Sequence, residues 1–248
     1  MRAGERVGAV ALRSQAELDA AAAALDAAGW SWRRRGRVLT RLWRMAADAG
    51  LATYPFARWR IKSWDVWRAV RQCLAVVPPD GLVFDIGADQ SEVLWALSRA
   101  GFTRLAGCDT DPRVLRMPGR GRIAYSAADF FAMDLEPGSV NALSCLSVME
   151  HGMDPEALLA RAASVLAPEG RLLVTTDYWP ERLDTSGVVV YDRPWRVFSR
   201  ADIEQVMAAA RRLGFEPDGP IDLTAADAPI HWSGRHYTFL WLAFAKRA

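Results

Sequence analysis

Cysteine, histidine and long apolar runs are all scarce in this 248-residue chain. The three cysteines, Cys73, Cys108 and Cys145, show no CxxC spacing, which argues against both a disulfide framework and a cysteine-built zinc site. Cys108 and Cys145 fall in apolar, strand-like runs, where cysteine serves as a small buried hydrophobe. No apolar run approaches the roughly 18 residues a membrane span needs. The alanines at 20–24 are soon followed by Asp26, and 239–245 is far too short. Near the N-terminus, Glu5, Arg13, Glu17 and Asp19 break up any signal-peptide core, so a cytoplasmic protein with no membrane partner is expected. Internal repeats are also missing. What is present is ordinary for a folded domain: 51% hydrophobic and 24% charged residues, which excludes a disordered chain.

The net charge of +2 hides an uneven distribution. Residues 30–71 hold 11 Lys and Arg against Asp48 and Asp65, and six of the 11 tryptophans (Trp30, Trp32, Trp43, Trp59, Trp64, Trp67). Residues 1–76 therefore read as a basic, Trp-rich, helical arm on a mildly acidic domain, 77–248. Helices are expected at 14–28, 37–49 and 63–76. The first has Ser14 and Glu17 as a capping box, the second Val38, Leu42 and Met45 along one face, the third Trp64, Trp67 and Val70 at helical spacing.

From residue 82 the texture becomes short apolar runs alternating with helical segments. Strands are expected at 82–86, 105–109, 122–125, 140–148, 171–175, 221–223 and 237–246, with helices at 91–99, 155–166 and 200–213. This alternation implies an α/β fold, a mostly parallel sheet with helices on both faces. The last two strands lack an intervening helix and are expected to pair antiparallel.

In such sheets ligands bind beyond the carboxyl ends of the strands. Four of those ends carry suggestive residues: Asp85-Ile86-Gly87-Ala88-Asp89-Gln90-Ser91, then Asp109-Thr110, then Asp129-Phe130, then Ser147-Val148-Met149-Glu150-His151. Taken in order, Asp85, Gly87, Asp109, Asp129 and Glu150-His151 resemble the motifs of the class I S-adenosylmethionine-dependent methyltransferases, small-molecule type, over residues 82–175. That family implies a doubly wound, seven-stranded Rossmann-like methyltransferase fold with an antiparallel last strand and an N-terminal helical lid.

The resemblance also implies roles. Asp109 would accept the ribose hydroxyls, Asp129 the adenine amino group, and Phe130 would face the ring; Gly87 would let backbone N–H groups meet the methionine moiety. Asp85, Ala88, Asp89, Thr110 and Ser147 complete the expected cofactor contacts. Taken singly, Asp109 and Asp129 also suit turns or helix caps. The family's second and third glycines are here Asp89 and Ser91. Ser91 can cap a helix, whereas Asp89 would attract the cofactor's ammonium and sulfonium and repel its carboxylate.

Methyl transfer to oxygen needs a base, and His151 is the first candidate among three histidines, with Asp177 next. The insertion 177–198, with Tyr178, Trp179, Tyr191 and Trp195, is the expected substrate wall; a surface hairpin covering the sheet edge is its alternative. No metal is expected. The acceptor would be a hydroxyl or amine of a small molecule. Two rivals remain: an RNA methyltransferase that docks nucleic acid on the basic arm, and a non-catalytic cofactor binder. Neither an Asn/Asp-Pro-Pro-Tyr/Phe motif nor GxGxxG occurs at the relevant turns, which disfavours amino-methylating nucleic-acid enzymes and nicotinamide dehydrogenases.

Overall fold

The computed structural model describes residues 6–32, 37–51, 60–119 and 121–247. Trp59, Glu5 and the arginines at 33–35 lie outside them. The first element among the described residues is a strand, β1 (Ala9–Ala11), ahead of the first helix expected in the arm. Helices α1 (Gln15–Ala27), α2 (Arg37–Asp48) and α3 (Ser63–Val76) follow. Ser14 Oγ accepts the Glu17 N–H while the Glu17 carboxylate accepts the Arg13 N–H, which fixes the start of α1. Next come β2 (Leu82–Ile86), α4 (Val93–Arg99), β3 (Arg104–Asp109), β4 (Ile123–Ala127) and β5 (Val140–Leu146). After them stand α5 (Pro155–Val165), the long β6 (Leu166–Tyr178), and a small hairpin of β7 (Val189–Val190) and β8 (Arg193–Pro194). Asp154 caps α5 with Pro155 at its first position, and a full capping box, Ser199 with Asp202, starts α6 (Arg200–Arg212). The chain ends with β9 (Phe215–Pro217), β10 (Ile221–Asp222), β11 (Ile230–Trp232) and β12 (Arg235–Lys246).

Two compact units result: Met1–Leu18 with Glu136–Ala248, and Asp19–Leu135. In the second, β2, β3 and β4 form a parallel run in the order of the sequence. Gly107 is required there, since a Cβ would lie 2.9 Å from the Ala88 Cβ, the Asp85 carbonyl oxygen and a Leu94 methyl. Helix α3 buries Trp64 and Val70 completely. The face of α2 is not buried: Val38, Leu42 and Met45 are 73%, 56% and 60% exposed.

In the first unit β5 and β6 pair parallel, and β12 runs antiparallel to β6 over Thr238–Tyr178 to Ala245–Arg171. The other edge of β12 is shared by β11, β1 and β9. The expected antiparallel pairing of 221–223 with the last strand does not form, because β1 occupies that edge; β10 pairs parallel with β1 instead. The N-terminal strand is apolar and wholly enclosed, from Ala9 to Leu12, which is why it reads as neither an amphipathic strand nor a helix.

Candidate functional site

In the second unit, the turn after β2 is built by main-chain bonds. Gly87 takes φ +75°, and the N–H groups of Gly87 and Ala88 both donate to the Cys108 carbonyl at 2.9 and 3.0 Å. These two donors are therefore spent within the fold, contrary to the expectation that the Gly87 turn presents them to a methionine moiety. The Asp89 N–H donates to Asp109 Oδ2 (3.1 Å) and the Asp111 N–H to Asp109 Oδ1 (2.8 Å). Asp109 is thus fastened by one amide on each oxygen and keeps lone pairs for two further donors.

The missing glycines carry no backbone penalty, because the second left-handed residue of this turn is Gln90 (φ +61°) and not Asp89 or Ser91. Ser91 Oγ accepts the Val93 N–H at 3.4 Å, so α4 begins at 93 and not at 91. The Asp89 side chain is only 8% exposed. Its Oδ2 accepts from Gln90 Nε2 (3.3 Å) and lies 3.6 Å from the Arg113 guanidinium, while Oδ1 meets no donor among the described residues. Burial pushes its carboxyl from 3.8 up to about 6, a rise that Gln90 and Arg113 only partly offset. Arg113 also grips Asp111 at 2.6 Å and holds that carboxyl below its ordinary value. Burial, and then Asp85, Asp109 and Asp129, push the Cys108 thiol up to about 12. The turns after β2, β3 and β4 therefore form an acidic neighbourhood.

Asp85 is buried within β2, and Thr110 is exposed at the bend after β3. Asp129 is exposed and caps a short 3-10 turn, accepting the Phe131 N–H at 2.9 Å through Oδ1. Phe130 departs from expectation: it is a core residue packed on Phe84 (6.1 Å) and Phe131 (5.6 Å). Phe131, 41% exposed, is the ring that offers a face to solvent.

In the first unit, Ser147 follows β5 in a left-handed conformation (φ +55°), its N–H donating to the Thr175 carbonyl and hydroxyl. One 3-10 turn, Met149–His151, buries Glu150, whose carboxylate accepts from Thr176 Oγ1 at 3.2 Å. His151 is half-buried, and its ring stands edge-to-face on Tyr191, 5.3 Å away at 80°. Tyr191, 74% exposed, sits at the tip of the β7–β8 hairpin with Asp192, both left-handed. Asp177 is buried in β6 and accepts from Trp195 Nε1 at 2.7 Å and from the Tyr237 hydroxyl. Burial, together with Asp177 and Glu150, drives the Tyr237 phenol far above its ordinary value, so it remains a donor. Trp195 in turn packs on Trp232 (4.8 Å) and Tyr237 (5.6 Å).

Two members of the expected substrate wall are corrected by this geometry. Tyr178 is fully buried, its hydroxyl donating to the Leu223 carbonyl at 2.7 Å, and is core. Trp195 is buried as well and acts as the clamp on Asp177. Trp179 is half-buried, with its N–H on the Phe198 carbonyl. Sequence reasoning missed Gln90, Arg113, Phe131, Trp232 and Tyr237. A signal existed for the last two: Trp232-Ser233-Gly234-Arg235 is a two-residue hairpin turn, with Ile230 and Tyr237 opposite each other in the flanking strands.

Comparison with known proteins bears on the domain and its fold. Residues 84–174 match the model of a methyltransferase domain. The ubiquinone biosynthesis O-methyltransferase of Xanthomonas campestris pv. campestris (strain B100) is 28% identical over 108 residues, 41% of this chain and 45% of that protein. The match thus spans less than half the length of this curated relative. Among solved structures, geranyl diphosphate C-methyltransferase from Streptomyces coelicolor A3(2) aligns with a TM-score of 0.57 at 15% identity, covering 72% of this chain and 76% of its own. The [4+2]-cyclase SpnF aligns at 0.56 and 14% identity, covering 85% and 95%. One fold therefore serves proteins named for different chemistries. Over residues 84–174 the chain is thus similar to a methyltransferase domain, and its fold is the Rossmann-like one of these S-adenosylmethionine-dependent methyltransferase structures.

Proposed function

We propose that this chain moves a methyl group from S-adenosylmethionine to a hydroxyl or amine of a small-molecule acceptor. The observation that carries the reading is the Asp109 carboxylate, fastened by the Asp89 and Asp111 amides with acceptor capacity to spare. The donor set fits the cofactor. Asp109 would hold the two ribose hydroxyls, and Asp129 Oδ2 an adenine amino group beside the exposed Phe131 ring. The orphaned, buried Asp89 Oδ1 suits a cationic group. When bound, the cofactor supplies a methyl group on a positively charged sulfur. Gly87 contributes a turn without a Cβ, so contact there is by approach and not by N–H donation.

On the acceptor side, His151 takes a hydroxyl proton, and its edge-to-face stacking on Tyr191 limits ring rotation. Asp177, held by Trp195 and Tyr237, serves as a fixed acceptor that orients the incoming group rather than as a proton shuttle. Tyr191 and Trp179 supply apolar contact area. A small acceptor with a ring or hydrocarbon portion follows from this mix.

Calorimetric titration with S-adenosylmethionine tests the reading. The wild-type chain should bind, and Asp109→Ala should lose about 1.5–3 kcal/mol, the usual worth of hydrogen bonds to a charged group. Unchanged affinity in Asp109→Ala would remove the assignment. Absence of labelled-methyl uptake across a panel of hydroxylated and amino metabolites, with binding intact, would leave a cofactor binder and overturn the transferase.

A further inference from the structure

The least explained surface lies on α2. Its residues Val38, Leu39, Leu42 and Met45 recur at helical spacing along one side, and all four are more than half exposed. Solvated charge should cover the exposed side of a soluble helix; here a contiguous aliphatic stripe does. The adjoining sequence is strongly basic. Arg33, Arg34, Arg35, Arg37, Arg41 and Arg44 fall within twelve residues, with no acidic residue before Asp48. An aliphatic stripe flanked by arginines is the composition of a helix that lies in a lipid–water interface, stripe inward and arginines at the headgroups.

We propose that α2 docks this protein onto an anionic lipid surface. Three observations favour lipid over the other occupants. Nucleic acid would use aromatic faces for stacking, yet four of the arm's six tryptophans are engaged within the second unit: Trp30 lies on Trp67 (5.8 Å), Trp32 on Trp95 (4.7 Å), and Trp64 is buried beneath the Arg68 guanidinium. Nor does a phosphate backbone gain anything from exposed Val, Leu and Met. A second copy of the chain would bring the three arginines of α2, Arg37, Arg41 and Arg44, against their counterparts on the same helix, a like-charge contact. An anionic bilayer satisfies the stripe and the arginines together.

This mode of binding differs from the membrane partner that sequence analysis set aside. No helix among the described residues is long and apolar enough to cross a membrane, and α2, at 12 residues, lies along a surface instead. Docking is independent of the methyltransferase reading, since it is measured as partition of the whole chain and not as turnover.

The test is flotation of the full-length protein with vesicles of phosphatidylcholine alone or with about 30% phosphatidylglycerol, typical of an anionic leaflet. The protein should float with the anionic vesicles, much less with neutral ones, and detach as salt is raised. Leu42→Asp should reduce the bound fraction about ten-fold or more with melting temperature unchanged, because the position is exposed. Arg41→Glu, which leaves the stripe intact, should weaken anionic binding several-fold without creating a preference for neutral vesicles. Failure of the wild type to float on anionic vesicles at low salt would overturn the proposal, as would flotation that Leu42→Asp leaves unchanged. A dimer that Leu42→Asp converts to monomer, with no flotation, would assign the stripe to a second copy. A salt-sensitive RNA shift without flotation would assign the arginines to nucleic acid.

Discussion

The two units hold their candidate residues by different means. In Asp19–Leu135, Asp109 and Asp129 stand at the ends of two successive strands, and their carboxylates are fixed by backbone amides two residues on and, for Asp109, also by the Asp89 amide of the preceding turn. In the other unit, Asp177 is held by side chains of Trp195 and Tyr237, 18 and 60 residues further along, and the frame behind them includes a strand from the opposite end of the chain. Main-chain fastening survives side-chain replacement; side-chain fastening depends on distant packing. The first arrangement is robust and the second should be fragile.

The largest effect is expected from the distant strand. The Ala243 N–H donates to the Gly8 carbonyl and the Leu12 N–H to the Phe239 carbonyl, so by antiparallel alternation Val10 and Trp241 form the hydrogen-bonded pair between them. Val10→Pro removes that N–H and should cost about 3 kcal/mol or more. Differential scanning calorimetry should then show a fall of about 6–12 °C. Hydrogen exchange should place the loss of protection in β12 and leave the amides of β3 protected. Uniform loss in both would break the contrast between the units.

His151→Ala comes next. Turnover should fall about 10²–10⁴-fold, the span of a lost general base. Cofactor affinity should stay within about two-fold, the mirror image of Asp109→Ala. The measurement is steady-state kinetics beside calorimetry, once an acceptor has been found. Equal damage to both quantities in either variant would blur the distinction.

The smallest effect concerns Asp89. With its carboxyl raised from 3.8 to about 6 by burial, the folded chain retains a proton that the unfolded chain releases between those values. The favourable contribution of the protonated form is therefore complete below about pH 4 and is lost as pH rises through 6. Asp89→Asn, always neutral, should be more stable than wild type by about 1–2 kcal/mol above pH 7, with no gain below pH 4. Its cofactor affinity should drop over the same upper range. Thermal melts at pH 4 and pH 7.5 check the sign; a variant less stable at pH 7.5 would mean that Asp89 is paired more strongly than the geometry implies.

These contrasts also explain what the sequence could reveal. The strand at 82–86 and the helix at 63–76 match their expected bounds because apolar alternation and the Pro78–Pro79 stop are local signals. Asp109 and Gly87 could be placed at strand ends because that placement follows from the order of the strands alone. Phe130 and Phe131 were not distinguishable, since adjacent residues of one type differ only in which way the chain turns after the Asp129 cap. Tyr178 and Trp195 were misassigned for a related reason: an aromatic residue near a strand end can be wall or core, and Leu223 and Asp177, the partners that decide it, come from other segments. The three residues of β1 offered no periodicity at all.

That short strand also sets an order of events during synthesis. Leu12 receives the Thr238 hydroxyl across 226 residues of sequence, so the pair cannot form until nearly the whole chain has been made. At about 5–20 residues per second, Ala9–Leu12 would emerge from the ribosome on the order of 10–50 s before their partner strand. For that interval a wholly apolar segment travels unpaired, in a nascent chain whose three-stranded parallel run, Leu82–Ala127, can already assemble. The frame around β12 is thus the last part to close, and the one most exposed to aggregation or to holding chaperones while it waits.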